Sequence, residues 1–131
     1  MTALFRLGLA LLLGAGLSAG AHAQAPPRKF TQYALRGAIV FLDYPQITVN
    51  GHPMRLAPGA RVRNQHNLIV SAATLRGERV LAHYTLDLAP DQVRDVWVLR
   101  PSEAAVIPWP VSMDEARAWT FNDSAQTWTP P

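Results

Sequence analysis

Tyr33 to Leu56 reads YALRGAIVFLDYPQITVNGHPMRL, and the fold turns on how its second half reverses direction. Asn50-Gly51 suits the two central positions of a type I′ turn, where both residues need positive φ and Asn and Gly adopt it at little steric cost. A two-residue loop there sets Val49 against His52, Thr48 against Pro53, Ile47 against Met54 and Gln46 against Arg55. Side chains alternate along a strand, so Ile47, Val49, Met54 and Leu56 share one face and Gln46, Thr48 and Arg55 the other. Apolar meets apolar and polar meets polar, as a half-buried antiparallel pair requires. Pro53 has no N–H to give, which makes Thr48–Pro53 the weak rung.

Toward the N-terminus, Tyr33 to Asp43 is apolar on both sides, with Leu35, Ile39 and Phe41 on one and Ala34, Ala38, Val40 and Leu42 on the other. A strand of that kind lies centrally or is covered by another segment. Gly37 within it predicts a bulge or a sharp coil. Residues 24–32 form a polar leader containing Pro26-Pro27, expected to be extended and poorly ordered. Residues 1–23 have the plan of a secretory signal peptide: Arg6, an apolar stretch from Leu7 to Leu17, and the small-x-small site Ala21-His22-Ala23. Cleavage is expected after Ala23 or after Ala25. The apolar run is shorter than the roughly 20 residues of a membrane span. The exported chain is therefore expected in the periplasm or outside the cell, not embedded in a membrane.

Removing those residues from the 131 leaves about 108, a single-domain length. There is no Cys, which excludes disulfides, thiolate metal sites and cysteine nucleophiles together. The isoelectric point near 10.0 reflects a scarcity of groups titrating between carboxylates and arginines rather than a strong field. Arg6 is the one charged residue lost on cleavage, so the formal charge drops from +3 to +2. That weak charge and the export signal argue against a nucleic-acid partner.

Toward the C-terminus, Ala57-Pro58-Gly59 marks a turn, residues 60–63 a short strand, residues 64–67 a polar loop and residues 68–71 another strand. Ala72 to Arg76 suits one helical turn. A second hairpin pairs residues 78–87 with 92–100 around Leu88-Ala89-Pro90-Asp91. With Leu86 opposite Val93, Tyr84 faces Asp95, Ala82 faces Trp97 and Val80 faces Leu99; a loop one residue longer flips these faces. Residues 33–100 thus predict an all-β domain, a small barrel or strongly coiled sheet of about five or six short antiparallel strands.

Residues 101–131 read as a mostly irregular tail. Pro101-Ser102-Glu103 suits the opening of one helical turn, and Ser112-Met113-Asp114-Glu115 has capping-box spacing for a short helix to about Trp119. Three of the four tryptophans, Trp109, Trp119 and Trp128, lie in the tail. Each would expose a large apolar area if the tail were free, so the tail is expected to dock on the barrel, over an apolar face or an open end.

Chemistry is sparsely signalled. His52, His66 and His83 lack the spacing of a local metal site, so no metal and no cofactor are expected. His83 and Asp95 are the nearest thing to a coupled set, but in the register above His83 points away from Asp95. No nucleophile elbow, phosphate loop, zinc-protease motif or dinucleotide fingerprint occurs. Arg55, Arg61 and Arg63, with Trp97 and Trp109, are the candidate ligand-binding residues, a basic and aromatic set suited to anionic envelope material. The reading is a non-catalytic binding or scaffolding module. The alternatives are a small metal-dependent or carboxylate-based hydrolase, and a structural envelope protein that associates with itself or with another envelope protein through its aromatic tail.

The order LRGAIV, ITVNG, MRLAPGARVR, LRGERVLAHYTLD, QVRDVWVL resembles small exported proteobacterial proteins of unknown function with an OB-like β-barrel. Their tail pattern, Trp-Pro followed by Glu-Ala, Trp, Phe-Asn and Gln-Thr-Trp, is similar as well. The resemblance implies a periplasmic OB-like barrel and carries no catalytic residues onto this chain.

Overall fold

The computed structural model describes residues 26–131, and the signal-peptide reading of residues 1–23 lies outside them. Among the described residues eight strands form: β1 (Leu35–Phe41), β2 (Gln46–Val49), β3 (His52–Arg63), β4 (Ile69–Val70), β5 (Arg79–Leu86), β6 (Gln92–Val98), β7 (Thr120–Asn122) and β8 (Thr127–Thr129). The first six make one sheet in the order β2-β1-β5-β6-β3-β4, and an added β2–β3 pairing closes five of them into a barrel. The chain is an all-β barrel with one extra strand. Every pair is antiparallel except β3–β6, so the barrel is mixed where only antiparallel strands were expected.

The β2–β3 hairpin has the expected register, Val49↔His52 through Gln46↔Arg55. Asn50 and Gly51 take φ of 51° and 82°, as a type I′ turn demands. Asn50 also ties the turn to β1, its Oδ1 accepting from Ala38 N at 2.9 Å. Gly37 marks no bulge, because β1 pairs with β5 without a break from Leu35 to Val40. It is glycine for space: a Cβ there would sit 3.0 Å from Val49 Cγ1 and 3.1 Å from Tyr84 Cε1. The Ala57-Pro58-Gly59 turn is instead an irregularity within the long strand β3, whose pairing with β6 is interrupted between Leu56 and Arg61. Pro58 falls in that gap, where no ladder N–H is required.

The second hairpin corrects the sequence register. Leu86 faces Val93 as expected, but Arg94 is an extra residue, and beyond it Thr85 faces Asp95, Tyr84 faces Val96, His83 faces Trp97 and Ala82 faces Val98. A bulge shifts every later side chain to the other face. Tyr84 and Val96 therefore fill the interior with Leu35, Ile39 and Phe41, while His83 and Trp97 point out of the barrel.

That outward face is covered. Phe30, Ala34, Leu99, Trp109 and Trp128 form a second buried cluster over it, with Trp119 and Phe121 packed alongside. Helix α1 (Pro101–Ala104) and helix α2 (Met113–Ala118) lead into β7 and β8, a small hairpin where the sequence suggested irregular chain. At α2 the Ser112 Oγ accepts from Glu115 N at 3.2 Å, the N-cap bond that its spacing predicted. The leader is not loose either: Phe30 is buried, and its N–H donates to Gln126 Oε1 at 2.8 Å.

Candidate functional site

Three residues form a row across the outer face of the barrel, Arg36 on β1 opposite His83 on β5, and His83 opposite Trp97 on β6. Tail and leader close over this row. Trp109 stacks on His83 with ring centres 4.1 Å apart, and Phe30 meets His83 edge-on at 4.4 Å. The Trp109 indole N–H donates to Ala34 O at 2.8 Å, which fixes the ring.

Arg36 is buried, and among the described residues no carboxylate pairs with it. Its guanidinium donates to the carbonyls of Val106 at 2.7 Å, Glu103 at 3.0 Å and Ala104 at 3.3 Å, at the end of α1. It also donates to His83 Nε2, from Nε at 3.3 Å with Nη2 at 3.2 Å. A guanidinium has no acceptor to offer, so Nε2 of His83 accepts and its ring proton sits on Nδ1. Burial first, then the charges of Arg36 and Arg28, push the His83 pKa down from 6.5 to about 3. His83 is thus a neutral imidazole whose Nδ1–H finds no partner among the described residues. It does not pair with Asp95, although the bulge brings both to one face. Asp95 accepts from Thr85 Oγ1 at 3.1 Å and faces Arg63 at 3.4 Å.

The leader supplies the other wall. Arg28 donates through Nε to Glu103 Oε2 at 2.9 Å, and through Nη1 and Nη2 to the carbonyls of Asn64 at 3.0 Å and Val98 at 2.8 Å. Burial alone would raise the Glu103 carboxyl. The Arg28 hydrogen bond, the Arg100 backbone N–H and the charges of Arg28 and Arg100 outweigh it and hold that carboxyl below its ordinary value. One ion pair therefore ties leader, barrel and tail together. Across from it, the β3–β4 loop is pinned by Asn64 Oδ1, which accepts from His66 N at 2.9 Å and Leu68 N at 3.0 Å. That loop presents Gln65 and His66.

Two adjoining cavities result. The first, of about 740 Å³, lies among Phe30, Gln65, His83, Pro101, Val106 and Trp109. The second, of about 580 Å³, lies among Lys29, Arg63, Asn67 and Trp97. Pro27, Arg28, His66 and Arg100 border both, so the two form one groove. The second cavity has four cationic side chains in its walls, Arg28, Lys29, Arg63 and Arg100, and among the described residues no carboxylate lines it. Arg28 and Arg63 have acidic partners close by, and Lys29 stands 3.8 Å from the exposed Asp123. Arg100 has no ion pair among the described residues. Its Nε and Nη1 rest on the carbonyls of Gln65 at 2.6 Å and Pro26 at 3.0 Å, and Glu103, whose carboxyl feels its charge, is ion-paired with Arg28 instead.

Of the residues expected from sequence, Arg63, Trp97 and Trp109 are gathered at this groove, with Arg63 stacked over the Trp97 ring at 5.5 Å. Arg55 and Arg61 are exposed on β3 and border neither cavity. The arrangement depends as much on Arg28, Phe30, His83 and Arg100. Arg28 and Phe30 sit in a stretch whose prolines signalled loose chain, and nothing local announces their partners, which are 75 and 96 residues away. Among the described residues no three His, Asp or Glu side chains gather as a metal site needs. Comparison with protein-family models, with curated proteins and with solved structures finds no match to this chain.

Proposed function

We propose that the protein is an exported, non-catalytic binding module of the cell envelope that holds an anionic envelope component in this groove. The observation that carries the reading is the cation-lined cavity bordered by Arg63, Trp97 and Arg100, opening beside a larger cavity with mainly apolar walls. Concave sites of mixed lining with a few convergent polar groups are where small ligands bind. His83, the buried histidine at the groove, has its basic nitrogen occupied by Arg36, which argues against its acting as a general base. The strand order β1-β2-β3-β6-β5 returning to β1 supports reading the barrel as OB-like. Export follows from the signal-like residues 1–23, and a cysteine-free core suits a chain that folds without disulfides.

The test compares two double variants of identical net charge on a heparin column. Arg63→Gln with Arg100→Gln should elute at clearly lower salt than wild type, because it removes cations that converge on one cavity. Arg55→Gln with Arg61→Gln should elute near wild type. Equal displacement of both would mean that retention follows net charge alone, and the groove reading fails.

A further inference from the structure

We infer that the ligand of this groove is an acidic sugar, its anionic group over Arg100 in the second cavity and its ring in the first. The inference rests on the groove being a binding site and goes on to name what it binds. Three observations converge. The groove of about 740 Å³ and about 580 Å³ is far larger than a bare inorganic anion needs, so an ion at Arg100 would leave most of it empty. The second cavity offers Arg100, a guanidinium with no ion pair among the described residues, beside Arg63 and Lys29, and guanidinium donors suit carboxylate and phosphate oxygens.

The first cavity, which Arg28, Arg100 and the Arg28-paired Glu103 also line, adds neutral polar groups between apolar walls. Gln65 spends its Nε2 on Leu99 O at 2.9 Å, and its Oε1 accepts nothing among the described residues. Ser102, exposed at the rim, adds a hydroxyl that both donates and accepts. Acceptors and donors interleaved with Pro27, Pro101 and Val106 suit a hydroxylated ring, whose hydroxyls both give and take hydrogen bonds while its C–H faces lie on apolar walls. A purely apolar body would leave these groups unmet.

Isothermal titration of the full exported chain with glucuronate, glucose 6-phosphate, glucose and inorganic phosphate tests this. Both acidic sugars should bind, each more tightly than glucose or phosphate by about tenfold, the size of one charge-assisted hydrogen bond lost. Glucuronate against glucose 6-phosphate then tells whether carboxylate or phosphate is the anion read. Arg100→Gln should weaken acidic sugars by about tenfold or more, with Arg100→Lys intermediate and Arg61→Gln unchanged. Near-ultraviolet circular dichroism checks that each variant is folded, and Gln65→Leu provides a second variant that leaves the cations in place and should weaken the sugars but not phosphate. Phosphate binding as tightly as glucose 6-phosphate would make this a bare anion site and overturn the inference. Glucose matching glucuronate would remove any role for Arg100. No binding by any of the four sugars and ions, with the heparin result intact, would overturn the sugar while leaving the groove as a binding site.

Discussion

His83 is where burial, charge and hydrogen bonding meet most sharply. Its folded pKa of about 3 lies below the ordinary 6.5, so between those values the unfolded chain holds more protons than the folded one. Stability from this group is complete above pH 6.5 and is lost on acidification toward pH 3, with a slope of roughly 1.4 kcal/mol per pH unit. Glu103 adds a loss of the same sign, but only as pH falls through the carboxylate range. Urea midpoints at pH 7, 6 and 5 should therefore fall faster for wild type than for His83→Gln, and parallel lines would refute the assignment. Gly37 gives a simpler test. An alanine Cβ would press on Val49 and Tyr84 at 3.0 and 3.1 Å, so Gly37→Ala should cost about 1–3 kcal/mol in denaturant unfolding. At this scale the sequence was legible where conformation is local, as at Asn50-Gly51, and illegible where one bulged residue, Arg94, decides which face His83 takes.

Among the elements, the pieces missed from sequence are those whose stability comes from partners distant in the chain. The β7–β8 hairpin spans three residues a side and has no marked period, yet its loop is organised by Asn122 Oδ1 accepting from Ala125 N at 2.9 Å and by Gln126 at φ 55°. Its inward residue is Trp128, which lies against Trp109 and Phe121 with ring centres 6.1 and 4.7 Å away. Trp128→Ala should cost about 3–5 kcal/mol by calorimetry, whereas a cost under 1 kcal/mol would mean that the hairpin merely rests on the surface. The leader makes a parallel case. Arg28 and Glu103 are 5% and 12% exposed, so Arg28→Ala strands a carboxylate that its partner had kept ionised. Its cost should be about 3–5 kcal/mol, and Glu103→Gln in the same background should recover part of it. The capping spacing at Ser112 was readable because a cap is a contact over three residues.

Across the whole molecule, the chain forms a barrel with a second layer over one side of it. Alternation and turn chemistry disclosed the barrel. Its closure by the parallel β3–β6 pair was hidden, because no local signal records that two strands with β4 and β5 between them will run side by side. The groove belongs to the second layer, where leader, β3–β4 loop and α1, far apart in the chain, come together, which is why Arg63, Trp97 and Trp109 could be nominated and Arg28 and Arg100 could not. The central claim is that this junction is the binding surface. Backbone and indole NMR shifts during titration with a short heparin oligosaccharide measure it directly. The account predicts changes at the Trp97 indole, residues 64–67 and residues 100–103, fading as salt is raised. Changes centred instead on Arg55 and Arg61 of β3, with the groove unmoved, would contradict it.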